Sequence, residues 1–119
     1  MENEVIVDTN GLMLPFQSKL NLEKCLFELL GKYKILVPES VMKELKYLSL
    51  TNPYARAALA YSKKFSILKT SMKGDYSIIQ LALERHSYVL TNDRNLIRIL
   101  KKYGIRVIRP RGEKRLELI

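Results

Sequence analysis

Short apolar runs alternate with segments of helical spacing along this chain. Runs rich in β-branched and aromatic residues predict strands, at Val5–Val7, Ile35–Val37, Phe65–Leu68, Tyr88–Leu90 and Arg106–Ile108. Apolar residues at helical spacing predict helices, near Leu22–Leu30, Glu39–Tyr47, Arg56–Lys63, Asp75–Arg85 and Asn92–Lys102. Because strands and helices alternate, the pattern predicts an α/β sandwich with a mostly parallel sheet.

Length and composition indicate one globular domain. The chain has 119 residues, 47% of them apolar and 28% charged, so we expect a single domain over residues 1–119. The N-terminal sequence MENEVIVDTN lacks the basic start and long apolar run of a signal peptide, and no apolar stretch is long enough to cross a membrane. We therefore expect a cytoplasmic protein without a membrane partner.

Four acidic residues are the strongest chemical signal. Asp8 closes VIVDTN, Glu44 lies in PESVMKEL, Asp75 in KGDYSII and Asp93 in VLTNDRNL. Ligand sites of parallel sheets lie at the carboxyl ends of the strands, where such residues meet. Clustered carboxylates repel one another unless a cation lies between them. The sequence therefore predicts a divalent metal site.

The helical phase of these acids supports convergence. Asp75 and Asp93 each begin an apolar stripe that the following helix is expected to bury, and Glu44 lies between Val41 and Leu48 on one helix face. Taken singly, each acid has a structural alternative, because aspartates favour helix N-termini and turns, and a glutamate in a lysine-rich helix is often solvated. Taken together, four acids at such positions favour a shared site.

The charge distribution suggests a polyanionic ligand. The net charge is +9, and the segment Arg98–Ile119 has eight basic and two acidic residues. A negative pocket within a positive surface is expected of a protein that binds a polyanion and a cation together. The basic C-terminal tail from about residue 109 would extend an RNA track or pack against a partner. The alternative is an ordinary lysine-rich soluble surface.

Single copies of cysteine and histidine limit the other chemistries. Cys25 and His86 are the only residues of their types, which excludes an internal disulfide, a Cys/His zinc site and a two-cysteine redox motif. We expect Cys25 to be a core residue and His86 a surface or packing residue. No G-x-S-x-G motif or Ser/His pair supplies a protein nucleophile.

Four segments together resemble the PIN-domain family of metal-dependent nucleases: VIVDTNGLM, VPESVMKEL, GDYSIIQLALE and VLTNDRNLIRIL. The resemblance covers nearly the whole chain and implies a three-layer α/β/α sandwich. Carried over by position, it implies four catalytic ligands of Mg²⁺ or Mn²⁺, which are Asp8, Glu44, Asp75 and Asp93. It also implies supporting hydrogen bonds from Thr9, Asn10, Thr91 and Asn92.

The resemblance implies hydrolysis of RNA by metal-activated water, without a covalent protein intermediate. Where many members have further acids, this chain has Tyr76 and Asn95, which leaves open whether one or two metal ions bind. Phosphate contacts need only charge and reach, and the candidates at the pocket rim are Lys43, Lys46, Lys73 and Arg94.

Three biological contexts remain open. Short PIN proteins resemble VapC-type toxins, which would imply an antitoxin partner and a homodimer. A related branch acts in ribosomal RNA processing, which would imply association with pre-ribosomal particles. The third is a non-catalytic module that binds RNA or a partner. A generic nucleotide-binding domain is disfavoured, because no Gly-rich phosphate loop follows any strand.

Overall fold

The computed structural model describes residues 2–119, which form six strands and six helices. The strands are β1 Asn3–Val7, β2 Tyr33–Pro38, β3 Ser66–Leu68, β4 Tyr88–Leu90, β5 Val107–Arg111 and β6 Arg115–Leu118. The helices are α1 Thr9–Gln17, α2 Leu22–Leu30, α3 Glu39–Leu48, α4 Pro53–Ser62, α5 Gly74–Arg85 and α6 Arg94–Lys102. No helix in this part of the chain is long and apolar enough to span a membrane.

The strands form one sheet in the order β3-β2-β1-β4-β5-β6. Every pairing is parallel except that of β5 with β6, so the predicted α/β fold with a mostly parallel sheet is confirmed. The chain moves from β1 toward one edge through β2 and β3, and later from β4 toward the other edge. The strand order therefore reverses between β1 and β4, which is the position where such sheets bind ligands.

Helices cover both faces of the sheet centre. Val5, Ile6 and Val7 of β1 are fully buried although their side chains alternate between the two faces. Crossovers between parallel strands are right-handed, so connections running in opposite directions lie on opposite faces. This rule places α1 to α4 on one face and α5 and α6 on the other, giving three layers. Contacts among α1, α3 and α4, and of α5 with β1 and β4, agree with it.

Helix α1 was not predicted from the apolar pattern. Leu12, Met13 and Leu14 are buried in succession, so the sequence lacks the regular polar interruptions from which a helical period is recognised. Pro15 also lies inside it. Other observed helix boundaries differ from the predicted ones by a few residues because of capping. For example, α6 begins at Arg94 instead of Asn92, since the Asp93 side chain caps it.

The basic C-terminal segment is part of the sheet. The strand predicted to end at Ile108 continues to Arg111, and β6 folds back antiparallel onto it through a turn at Gly112, whose φ is +68°. Arg109 Nη2 lies 3.7 Å from Glu117 Oε1 across the hairpin. The residues from about 109 are therefore a paired β-hairpin instead of a tail.

Cys25 lies beneath this hairpin, where it is half-buried and packs against the core, so the expectation of a core residue is met only in part. Its Sγ donates to the carbonyl of Lys114 at 3.3 Å, and burial raises the pKa of the thiol. His86 is exposed, as expected, and ends α5 in a left-handed conformation with φ of 54°.

Candidate functional site

All four predicted acids line one cleft at the carboxyl edge of the sheet, beside the reversal point between β1 and β4. The cleft has a volume of about 310 Å³. Its walls come from the segments that follow β1 and β4, from one face of α3 along its length, and from the N-terminal part of α5. Besides Asp8, Glu44, Asp75 and Asp93, it is lined by Thr9, Asn10, Ser40, Val41, Leu48, Gly74 and Ile78.

Asp8 is the buried member of the set. It follows β1 directly, and the residue is only 5% exposed. Its Oδ1 accepts from the Gly11 backbone N–H at 2.7 Å, which caps α1, and its Oδ2 accepts from the Thr91 hydroxyl. Three elements therefore hold this carboxylate: β1, the first turn of α1 and the end of β4.

Gly11 makes the capping contact possible. A Cβ at this position would lie 2.7 Å from Val7 Cγ1 and 2.8 Å from Leu90 Cδ2, closer than real side chains come. A larger residue would push the first turn of α1 away from β1 and β4 and move the N–H that binds Asp8. Gly11 was not among the predicted site residues, although an Asp three residues before a helical N–H is a capping signal.

Asp93 is connected to Asp8 through Thr91. The Thr91 hydroxyl donates to Asp8 and accepts from the Asp93 backbone N–H at 3.0 Å. The Asp93 side chain caps α6, because its Oδ1 accepts from the N–H groups of Asn95 at 2.9 Å and Leu96 at 3.2 Å. The structural and functional interpretations of these aspartates therefore coexist, since both residues cap a helix and line the cleft.

Glu44 and Asp75 differ from the prediction. Both line the cleft, but both are exposed, so neither lies on the buried stripe of its helix. The helix phase was nevertheless informative, since Val41 and Ile78 on the same faces are buried. These faces extend past the sheet edge, where the core ends and the cleft begins.

A pair of serine hydroxyls joins the helices that carry these two acids. Ser40 of α3 and Ser77 of α5 lie 2.6 Å apart, and Ser77 also donates to the Gly74 carbonyl at 2.6 Å. Ser77 is fully buried. Neither serine was predicted from the sequence, because only the packed fold brings α3 next to α5.

The carboxylates influence one another electrostatically. Burial raises the pKa of Asp8 to about 7, the Asp75 and Asp93 charges add to the effect, and the hydrogen bonds from Thr91 and Gly11 oppose it. Burial also raises the pKa of Asp75, helped by the charges of Asp93 and Glu44. No ion pair among residues 2–119 involves any of the four acids.

The donor set fits a hydrated magnesium or manganese ion. Within the described chain, no three acidic, histidine or cysteine side chains are close enough to hold one ion directly. Mg²⁺ retains several waters and binds proteins through only one or two carboxylates plus substrate phosphates. A cleft lined by four carboxylates without a basic partner is compatible with this chemistry, in which some of the acids would act through water.

Three of the four predicted supporting residues bond to Asp8 or line the cleft, and the fourth does not. Thr91 bonds directly to Asp8, and Thr9 and Asn10 line the cleft. Asn92 is exposed and does not line the cleft. The predicted rim residues are all exposed; Lys43 and Lys73 line a groove beside the cleft, which Lys46 and Arg94 do not line.

Several known proteins are similar to this chain in sequence or in fold. Residues 5–113 match the model of a PIN like domain. Ribonuclease VapC9 from Archaeoglobus fulgidus is 33% identical over 116 residues, covering 93% of this chain and 85% of that protein. The structure of the PIN domain endonuclease Utp24 has a TM-score of 0.83 at 28% identity, covering 97% of this chain and 90% of that one. A domain of a functionally unknown protein from Methanocaldococcus jannaschii shares the fold, with a TM-score of 0.63, 19% identity and 98% coverage of both chains.

Proposed function

Because this chain belongs to the PIN-like domain family, we propose that it is a metal-dependent endoribonuclease that hydrolyses RNA phosphodiester bonds. The supporting observation is the single cleft at the sheet reversal point, lined by four acids that no basic side chain neutralises within residues 2–119. The 33% identity to a ribonuclease and the similarity to an endonuclease support the same activity.

Asp8, Glu44, Asp75 and Asp93 would hold the ion, which is Mg²⁺ or Mn²⁺. A bound ion of this kind activates water and neutralises charge on a phosphodiester. Asp8 must release its proton to act as a ligand, and its pKa of about 7 means that this release occurs near neutral pH. Metal affinity should therefore rise as the pH increases from 6 to 8.

The chain itself contributes positioning and an attractive field. Thr91 and Gly11 orient the Asp8 carboxylate, and the Ser40–Ser77 pair keeps α3 and α5 together. The net charge of +9 attracts a polyanion toward the cleft. Cys25 lies under the C-terminal hairpin and does not line the cleft, and water is the proposed nucleophile.

Incubation of a labelled single-stranded RNA with the protein tests this proposal. We expect cleavage with Mn²⁺ and none with a chelator. Asp93→Asn should abolish cleavage and keep the fold, because asparagine caps helices as well as aspartate does. Glu113→Gln, an exposed change in the hairpin turn, is the matched control and should cleave normally.

Two results would contradict the proposal. Cleavage that persists in chelator or in Asp93→Asn would remove the assigned site. Intact RNA despite measurable affinity in Mn²⁺ would favour the alternative, a non-catalytic module that binds RNA or a partner.

The similarity to ribonuclease VapC9 supports the VapC-type context for this nuclease. The antitoxin, the homodimer and the cytoplasmic location are further parts of that proposal. An adjacent reading frame for a small antitoxin would support them, whereas co-purification with pre-ribosomal particles would favour ribosomal RNA processing.

A further inference from the structure

A second groove adjoins the acid cleft and has the opposite charge. It has a volume of about 330 Å³ and shares Ser40 and Gly74 with the acid cleft. Within the described chain, its lining includes two lysines and three hydroxyl side chains and no acidic residue: Ser40, Lys43, Thr70, Ser71, Met72, Lys73 and Gly74. We name it the lysine groove.

The two lysines are available for a ligand. Both side chains are exposed, and none of the ion pairs found within residues 2–119 involves Lys43 or Lys73. Other basic residues of this fold do have partners: Lys64 Nζ lies 2.7 Å from Glu23, and Arg85 Nη2 lies 2.9 Å from Glu4. An anion entering the groove therefore displaces no existing ion pair of these lysines.

The loop that forms one wall of the groove is held in place by its own hydrogen bonds. Glu39, one turn before Lys43 on α3, accepts from the Thr70 backbone N–H at 3.2 Å. The Thr70 hydroxyl accepts from the Met72 backbone N–H at 3.1 Å. Glu39 thus anchors the loop to α3 through a hydrogen bond within the chain.

We propose that the lysine groove binds a phosphate of single-stranded RNA next to the phosphodiester held in the acid cleft. This inference rests on the proposed ribonuclease function. Lys43 directly precedes Glu44, and Lys73 lies two residues before Asp75, so the same two parts of the chain carry an acid toward one pocket and a lysine toward the other. An RNA strand that crosses the α3–α5 junction would meet the acid cleft and the lysine groove in succession. Lysines bind backbone phosphates without regard to base sequence.

The test compares two double variants with the same change in charge. Lys43→Gln/Lys73→Gln removes the groove lysines. Lys101→Gln/Lys102→Gln removes two exposed lysines from the last turn of α6, which do not line either pocket. RNA affinity is measured in chelator, so that the RNA stays intact, at several salt concentrations. Hydrolysis of bis(p-nitrophenyl) phosphate in Mn²⁺ reports on the acid cleft alone.

We expect the groove variant to bind single-stranded RNA roughly tenfold more weakly, because charge-assisted hydrogen bonds to a phosphate are removed. For this variant, the slope of log affinity against log salt concentration should be shallower by about 0.7 for each phosphate that is no longer bound. The α6 variant should change both quantities much less. Hydrolysis of the small diester should be the same in the groove variant and the parent, because that substrate has no neighbouring phosphate.

Three results would overturn the inference. Equal losses of RNA affinity in the two variants would indicate a diffuse basic surface, and unchanged affinity in the groove variant would assign the groove to another ligand. A matching loss of small-diester hydrolysis would place the lysines at the acid cleft itself. Failure of the ribonuclease proposal is distinguishable, because then the parent protein hydrolyses neither substrate while the binding comparison still stands.

Discussion

Strand β1 has a carboxylate at each end, and the two have opposite environments. Glu4, near the start, accepts from Arg85 Nε at 3.0 Å and Nη2 at 2.9 Å and from the Ser87 hydroxyl at 3.4 Å. The hydrogen bonds from Arg85 lower its pKa. Asp8, four residues further on, is buried without a cationic partner among residues 2–119, and burial raises its pKa to about 7.

Glu4 therefore stabilises the folded state through its ion pair, whereas the ionised carboxylate of Asp8 destabilises it. A paired carboxylate adds to stability, whereas an uncompensated buried one costs free energy whenever it is ionised. A buried acid with a raised pKa, lying in a cleft, marks a candidate functional site. The two ends of β1 therefore act as internal controls for each other.

The largest expected difference is in catalysis. Asp8→Asn keeps the shape and an acceptor for the Gly11 N–H but removes the charge, so kcat/KM for RNA cleavage should fall at least about a hundredfold, as for other preorganised electrostatic groups. Glu4→Gln should stay within about twofold of the parent. Initial rates in Mn²⁺ measure both. Equal losses in the two variants would mean that the change acts through global stability and would remove Asp8 from the site.

Stability in chelator should distinguish the same two variants through its pH dependence. Asp8 has a folded pKa of about 7, above its ordinary 3.8, so its contribution to stability is complete below pH 3.8 and is lost as the pH rises to about 7. Between pH 5 and pH 8 this loss is about 2 to 3 kcal/mol, because each pKa unit corresponds to about 1.4 kcal/mol. Asp8→Asn lacks it and should gain stability relative to the parent over this interval.

Glu4→Gln should behave in the opposite way. The lowered pKa of Glu4 means that its contribution is present above the ordinary value of 4.5 and is lost as the pH falls below it. The Gln variant should therefore be less stable than the parent at pH 8, with a smaller difference at pH 3. Urea denaturation at these pH values measures both variants. Parallel pH profiles for the parent and Asp8→Asn would refute the raised pKa of Asp8.

The ends of β1 also show what the sequence allows one to predict. The runs Val5–Val7 and Tyr88–Leu90 were recognisable as central strands because both of their faces are buried, which requires continuous apolar residues. Asp8 and Asp93 were recognisable because they closely follow those runs. The strand β6 was not, since Arg115–Leu118 has only four residues, too few for their alternation to stand out, and its pairing with β5 is decided by the fold.

The remaining site features depend on contacts between distant segments. Helical phase placed Glu44 and Asp75 on the correct faces but wrongly predicted their burial, because both helices extend beyond the sheet edge. The Ser40–Ser77 bond and the lysine groove arise where α3, α5 and the loop before α5 meet. The sequence suggested Lys43 and Lys73 as phosphate contacts, but no local pattern signals that α3 and α5 meet.

Two hydroxyl side chains that flank β4 allow the same comparison for a smaller effect. Thr91 donates to Asp8, and Ser87 donates to Glu4. Thr91→Val keeps the shape but removes the hydroxyl that donates to Asp8 and accepts from the Asp93 N–H. The Mn²⁺ concentration for half-maximal cleavage should therefore rise about tenfold, as for other groups that orient metal ligands. Ser87→Ala should leave this concentration unchanged. An unchanged Mn²⁺ requirement in Thr91→Val would show that the hydroxyl does not position the ligand.

The smallest effect is expected at the ion pair of Glu4. Arg85→Gln removes a partly exposed partner whose side chain is 37% accessible, so the free energy of unfolding should fall by only about 0.5 to 1 kcal/mol. The difference should shrink in about 1 M salt, where screening acts over about 3 Å. Lys24→Gln, which removes a more exposed partner 3.9 Å from Glu28, should lower the free energy of unfolding by less still.

RNA cleavage should be unchanged in both variants, because neither residue lines the acid cleft. A loss of cleavage in Arg85→Gln at unchanged stability would show that the two ends of β1 are coupled, contrary to the independence on which the comparison depends.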